Sequence, residues 1–264
     1  MNIAINGITG KMGQMIFNEA CDNKDTIITA VFENKNHPQI GKKFNDLIIS
    51  DNPLSQVDKF DVIIDFTRCD GTMNILEIAK NNNKAVVIGT TGFNEKQKQQ
   101  IREYSKYIPI VFAPNMSVGV NVTLELLKQA AKFLQPDYDI EIIETHHRNK
   151  VDAPSGTALK MGEVIADELK IDLDKNAIYD RVGNIGARPA GKIGFATIRA
   201  ADVVGEHTVL FATAGERVEI THKASSRATF ARGAIKSALW LADKKPDLYD
   251  MSDVLGFKKS RHNE

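Results

Sequence analysis

A short apolar stretch, Asn2-Ile3-Ala4-Ile5-Asn6, runs straight into Gly7-Ile8-Thr9-Gly10-Lys11-Met12-Gly13, and an amphipathic helix is predicted to follow through about Cys21. Nothing else in the chain restricts the fold as much. Strand, glycine turn and helix in this order form the setting in which a glycine motif can hold phosphate groups. Gly7 permits the tight turn, Gly10 lets the backbone approach a pyrophosphate, and Gly13 lets the helix pack closely on the sheet. The spacing is G-x-x-G-x-x-G rather than the commoner G-x-G-x-x-G, so the context carries much of the inference.

The next segments extend the pattern. A strand from Thr26 to Phe32 ends at Glu33, about 20 residues after the last glycine, where an acidic side chain bonds the ribose hydroxyls of an adenosine. Glu33 by itself favours NAD, while Lys11 and Lys35 leave NADP open. Strands at Val62–Phe66, Ala85–Ile88 and Ile110–Phe112 alternate with helices at about Thr72–Asn82 and Asn94–Tyr107. This alternation predicts an α/β fold with a Rossmann-like, doubly wound parallel sheet. Such sheets bind ligands at the carboxyl ends of their strands. Located there are the glycine loop, Glu33, Phe66-Thr67, Gly89-Thr90-Thr91 and Ala113-Pro114-Asn115-Met116. One dinucleotide can touch all of them.

Composition narrows the partners. Lys and Arg number 34, as do Asp and Glu, so no bulk charge recruits nucleic acid or an anionic membrane. No apolar run reaches the length of a membrane span, and no signal peptide opens the chain, so a cytoplasmic protein is expected. Cys21 and Cys69 match no metal or redox spacing.

Ser117 to Leu134 is predicted to be a helix whose stripe Val118, Val122, Leu126 and Ala130 reads as core. A strand from Asp139 to Thr145 and a helix from Ser155 to about Leu169 follow, then a polar loop or flap from Ile178 to Arg188. Gly194–Val203, Gly205–Ala214 and Arg217–Lys223 read as strands, and Phe230–Ala242 as a helix returning to the first domain. Residues 1–117 with 227–264 are therefore expected to form the dinucleotide-binding domain, and residues 118–226 an α+β domain.

The chemistry concentrates between Glu141 and Leu159. His146, His147, Arg148 and Lys150 end a strand, and Pro154-Ser155-Gly156-Thr157 opens a helix. Successive side chains of a strand point to opposite faces, so the two histidines cannot share a target. One should move a proton while the other positions substrate. Lys150 is a second candidate donor, or a point charge for an anion. The bare helix start suits a carboxylate. Ser155 fits an N-cap, not a nucleophile, because the glycine pattern of a nucleophile elbow is absent. Adjacent histidines chelate poorly, so no metal is expected. His207 and His222 fall in predicted strands and read as satisfied structural residues.

Glu144-Thr145-His146-His147-Arg148-Asn149-Lys150-Val151-Asp152-Ala153-Pro154-Ser155-Gly156-Thr157-Ala158-Leu159 resembles the signature of the dihydrodipicolinate reductase (4-hydroxy-tetrahydrodipicolinate reductase) family. Gly7 to Gly13, Asp65-Phe66-Thr67, Gly89-Thr90-Thr91-Gly92-Phe93, Asn115 to Asn121, Gly194-Phe195-Ala196 and Gly205-Glu206-His207-Thr208 fall in family order, so the resemblance spans nearly the whole chain. It implies reduction of a cyclic imine dicarboxylate with NADH or NADPH, on the diaminopimelate route to lysine. It implies His146 and Lys150 as proton donors, and His147, Gly156 and Thr157 as substrate ligands. Gly7, Ile8, Thr9, Gly10, Lys11, Met12, Glu33, Gly89, Thr90, Thr91, Ala113, Pro114, Asn115 and Met116 would form the cofactor loops. A homotetramer built through the second domain's sheet is implied as well. Many members that use NADP well carry an arginine directly after the acidic residue. Asn34 stands there in this chain, with Lys35 and Lys11 available to compensate, so dual use with an NADH bias is expected. Two other readings compete with this one. A sugar or amino-acid dehydrogenase would show a Lys-Pro pair after a mid-sheet strand, which is absent. A non-catalytic dinucleotide sensor would have no use for His146, His147 and Lys150 together.

Overall fold

The computed structural model describes residues 1–134 and 136–258. It falls into two compact units, Met1–Val118 with Arg227–Glu264, and Gly119–Ser226. The last residues of the expected first domain, 259–264, lie outside the described residues.

The chain opens with β1 (Asn2–Asn6), α1 (Lys11–Cys21), β2 (Ile27–Phe32), a hairpin of β3 (Lys43–Phe44) and β4 (Leu47–Ser50), and β5 (Val62–Asp65). Next come α2 (Cys69–Asn81), β6 (Ala85–Ile88), α3 (Glu95–Ser105) and β7 (Pro109–Phe112). Helix α4 (Val118–Leu134) leads into the second unit, with β8 (Asp139–His146), α5 (Gly156–Leu169), α6 (Leu173–Asn176), β9 (Ala177–Ile178), β10 (Ile193–Arg199), β11 (Gly205–Thr213) and β12 (Glu216–Ala224). The chain then closes with α7 (Ala228–Trp240), β13 (Asp247–Tyr249) and α8 (Met251–Val254), all in the first unit.

The first sheet runs β13-β7-β6-β5-β1-β2-β4-β3 and is parallel except for the β3–β4 hairpin. β2 lies on one side of β1 and β5 on the other, which makes β1 the switch point where such sheets bind ligands. The central strands are buried on both faces, as their unbroken apolar runs require. One face carries Ile16 and Phe17 of α1 with Ala231, Ala234 and Ala238 of α7. The other carries Ile75 and Leu76 of α2 with Ile101 of α3. Two edge additions were not expected. β4 extends the sheet beyond β2, and the Glu33 amide donates to Ser50 O at 3.0 Å. β13 pairs with β7, placing Leu248 beside Ile110. Both strands are too short for periodicity to declare them.

Helix α4 keeps half of its expected core stripe, with Val118 and Ala130 half-buried against the cores, and corrects the other half. It buries Val120, Thr123, Leu127 and Ala131, whereas Val122 is 38% and Leu126 51% exposed. The helix is apolar on two adjacent stripes, so helical spacing alone could not choose between them. The stripe that packs is the one meeting β8, β11 and α5 through Ile142, Phe211 and Met161.

The second sheet runs β12-β11-β8-β10-β9, with β8 and β10 parallel and the β8–β11 and β11–β12 pairs antiparallel. Its register sets His146 beside Arg199, Glu144 beside His207, and His207 beside His222. The segment predicted to be a loop or flap has no regular structure beyond Ile178 and is tied down. Arg181 makes two bonds of 2.7 Å to Glu141, and Arg188 reaches Glu141 at 2.8 Å and Asp139 at 2.6 Å. Gly194 makes room for this cluster, since a Cβ there would lie 2.0 Å from a Glu141 carboxylate oxygen.

Candidate active site

Gly7 has φ +83°, a conformation that favours glycine. A Cβ on Gly13 would lie 2.1 Å from the Gly7 carbonyl oxygen, so α1 can start against the turn only as glycine. Gly10 is the N-cap of α1 and offers no side-chain cap, and no acidic residue occupies the first turn. The first amides of a helix have no intrahelical partners, so this end suits a pyrophosphate. Glu33 is aimed at the same loop: it accepts from Thr9 Oγ1 at 2.5 Å, the Thr9 amide at 3.2 Å and the Asn34 amide at 2.9 Å. Those two Thr9 bonds show where ribose hydroxyls could exchange in. The residues of these loops therefore fit a dinucleotide.

Placement separates the predicted cofactor residues by what they can offer. Ile8, Ala113 and Met116 are buried in the apolar core, and the Ile8 and Ala113 amides already donate to Phe32 O at 3.1 Å and Ile88 O at 3.2 Å. Lys11, Thr91 and Pro114 are exposed, and Met12, Gly89 and Asn115 are half-buried. Gly89 lies against the Phe66 ring, where a Cβ would come within 2.1 Å. Beneath these loops lies Asp65, which sequence reading passed over except as part of a motif. It is 0% exposed. It accepts from Asn6 Nδ2 at 2.6 Å, from the Thr67 amide and hydroxyl, and from the hydroxyls of Thr72 and Thr90. One carboxylate thus ties together the ends of β1, β5 and β6 and the first turn of α2.

In the second unit, His146 ends β8 with its ring buried, and His147 is half-buried, as alternation requires. His146 Nδ1 bonds Glu144, which is 1% exposed. Arg199 grips that carboxylate with two bonds of 2.9 Å, and the Ser155 amide donates to it at 3.2 Å. Burial pushes the Glu144 carboxyl up, but Arg199 and His146 outweigh it, and the net shift is downward. Arg199 also donates to Asp152 O at 2.6 Å, and Lys150 pairs with the Asp152 carboxylate at 2.8 Å. Ser155 caps α5 by accepting from the Ala158 amide, and α5 has no acid in its first turn. Lys150, His146 and the helix start carrying Gly156 and Thr157 are therefore joined by one chain of polar bonds. Glu144, Arg199, Asp152 and Ser155, which join them, were not singled out for this role in the sequence.

His207 overturns its reading as a satisfied structural residue. Its Nε2 lies 3.0 Å from Ser155 Oγ and its ring stands edge-on to His146, with centroids 5.0 Å apart. Its Nδ1 is buried with no hydrogen-bond partner among the described residues, as is that of His222. Burial, with the His146 charge next, lowers the His207 pKa from 6.5 to about 4. The folded state then binds fewer protons than the unfolded chain between pH 6.5 and about 4. This contribution to stability is complete above pH 6.5 and is lost as the pH falls to about 4. The loss is about 2–4 kcal/mol. Urea unfolding at neutral and acid pH should show a smaller acid loss for His207→Gln than for the unaltered protein. Equal losses would remove His207 as a buried neutral group.

Among the described residues, no cluster of His, Cys, Asp and Glu could hold a metal ion, and no helix is long and apolar enough to cross a membrane.

Sheet order and strand-end loops are those of a Rossmann-type, nicotinamide-dependent oxidoreductase. Family models narrow the class: "Dihydrodipicolinate reductase, N-terminus" matches residues 1–116 and "Dihydrodipicolinate reductase, C-terminus" residues 119–255. The chain belongs to the dihydrodipicolinate reductase family. It is 51% identical to the 4-hydroxy-tetrahydrodipicolinate reductase of Nitrosospira multiformis, over 98% of this chain and 99% of that one. Its identity to the enzyme of that name from Hahella chejuensis is also 51%, over 97% and 99%. The solved dipicolinate-bound dihydrodipicolinate reductase from Paenisporosarcina superposes with a TM-score of 0.78 at 26% identity, covering 95% of this chain and 97% of that one.

Proposed function

We propose that this protein is a 4-hydroxy-tetrahydrodipicolinate reductase of the diaminopimelate route to lysine. It converts 4-hydroxy-tetrahydrodipicolinate to tetrahydrodipicolinate with loss of water, consuming NADH or NADPH and one proton. When bound, the reduced nicotinamide supplies the hydride. Gly7 to Met12, Glu33, Gly89 to Thr91 and Ala113 to Met116 bind that cofactor. His146 gives the proton to the ring carbon, and Lys150 is the second donor. His147, Gly156 and Thr157 hold the substrate carboxylates. The observation that carries this reading is the bonding of a buried histidine and a helix N-terminus to one carboxylate, Glu144. A proton donor and an anion site are thereby fixed relative to each other.

The test is direct. Purified protein, given the product of dihydrodipicolinate synthase, should oxidise NAD(P)H, followed by the fall in nicotinamide absorbance. No oxidation with either cofactor would defeat the reading. Asn34 after Glu33 leaves the adenosine end without the arginine that grips a 2′-phosphate. Both cofactors should therefore work, with kcat/KM higher for NADH; a strong NADPH preference would contradict this.

The proposal extends to a cytoplasmic homotetramer that binds no nucleic acid or membrane, assembled on the second sheet. Ile198, on the sheet face turned away from His146, is 47% exposed, which supports an apolar contact there. Sedimentation would decide the assembly.

A further inference from the structure

We infer that Glu144 is a positioning residue for proton transfer: it accepts a hydrogen bond from the Nδ1–H of His146, so that Nε2 is the atom that exchanges a proton with substrate. This rests on the proposed reductase reading and assigns a role to a residue that reading does not use.

The bonding pattern carries the inference. Glu144 lies on the core face of β8 with Ile140 and Ile142, a costly place for a carboxylate. Its two oxygens already receive both arms of Arg199 and the Ser155 amide. An ionised carboxylate only accepts, so the atom it faces on His146 must carry a proton. Arg199 keeps Glu144 ionised by pairing with it, so the proton stays on Nδ1 rather than crossing to the carboxylate. The opposite ring edge faces Gly205, where a Cβ would lie 3.0 Å from His146 Nε2, so glycine keeps that edge clear.

The remaining charges around the ring suit this arrangement. His207 on β11 faces it, with His222 of β12 behind, and Lys150 and Asp152 follow β8 in the loop. Burial keeps His207 neutral near pH 7, so it adds no second positive charge beside an imidazolium. In the reaction the imidazolium gives its Nε2 proton to the ring carbon. It becomes neutral imidazole with Nδ1–H still on Glu144, and Nε2 regains a proton from water.

The experiment compares the unaltered protein, Glu144→Gln, His146→Gln and the double variant. Glu144→Gln should lower kcat by on the order of 10²-fold, with NADH affinity unchanged within about two-fold. In the His146→Gln background it should cost less than about two-fold, because the residue it acts through is gone. An equal cost in both backgrounds would make Glu144 merely structural and overturn the inference. Because the two variants that lack Glu144 strip Arg199 of its buried carboxylate and can fail to fold, the unaltered protein supplies a second readout. Nitrogen-15 histidine spectra, assigned with His146→Gln, should show neutral His146 protonated at Nδ1; protonation at Nε2 overturns the inference. Turnover by the unaltered protein tests the reductase reading separately, since the tautomer is read without substrate.

Discussion

Replacing His146 with Gln is expected to lower kcat by about 10²–10⁴-fold while the NADH dissociation constant moves by no more than about two-fold. Glutamine can still donate to Glu144 from its amide, so the buried carboxylate keeps a partner and the local structure survives. What it cannot do is release a proton near neutral pH. The loops proposed to bind the cofactor lie in the first unit and His146 in the second, so none of the proposed cofactor ligands is altered. A loss confined to kcat, and shared by kcat/KM, marks an interaction made in the transition state. Steady-state kinetics and a fluorescence titration with NADH measure the two quantities. Parallel losses of rate and cofactor affinity would return His146 to a structural role.

The first unit was legible because its strands are buried on both faces. β1 and β6 stand where their apolar runs begin and end, and the glycine loop follows β1. β4 and β13 lie at or near the sheet edges, where few residues must be apolar, and three or four residues cannot show a period. In α4 the difficulty was the reverse. Val122 and Leu126 are as apolar as Val120 and Leu127, and the choice between the stripes was made by packing against β8, α5 and β11, which the helix's own spacing does not reveal.

The candidate site was legible where it is local in sequence. His146, Lys150, Ser155, Gly156 and Thr157 lie within a dozen positions, so strand-end and helix-start rules reach all of them. Arg199 and His207 join through register with β8 from other strands, and a lone arginine or histidine in a strand carries no mark of its neighbours. Glu144 did carry one. Alternation places it on the face of Ile140 and Ile142, and a carboxylate on a core face needs a buried partner. That signal predicts a cation or a proton donor opposite, without saying which strand supplies it.

The same reasoning predicts the largest loss of stability in the first unit, at Asp65. Asp65→Ala should cost about 3–5 kcal/mol, because buried donors are left without an acceptor at about 1–3 kcal/mol each. Not all of its donors are stranded. Thr72 Oγ1 has Arg68 O as an alternative at 3.3 Å, and the Thr67 amide already shares Thr90 Oγ1 at 3.0 Å. Among the described residues Asn6 Nδ2 and the Thr90 hydroxyl have no such substitute, and both are buried. Asn6 directly precedes the glycine loop and Thr90 lies within Gly89-Thr90-Thr91, so slack here passes to the loops proposed to bind the cofactor. NADH binding should therefore weaken by about 10-fold or more in parallel with stability, on the scale of about 1.4 kcal/mol per decade. Asp65→Asn should be milder, since it keeps an acceptor for the threonine hydroxyls while turning an amide toward Asn6. Denaturant unfolding and NADH titration of the two variants measure this. An Asp65→Ala protein as stable as the unaltered one, with unchanged NADH affinity, would mean that the loops hold their shape without the buried carboxylate.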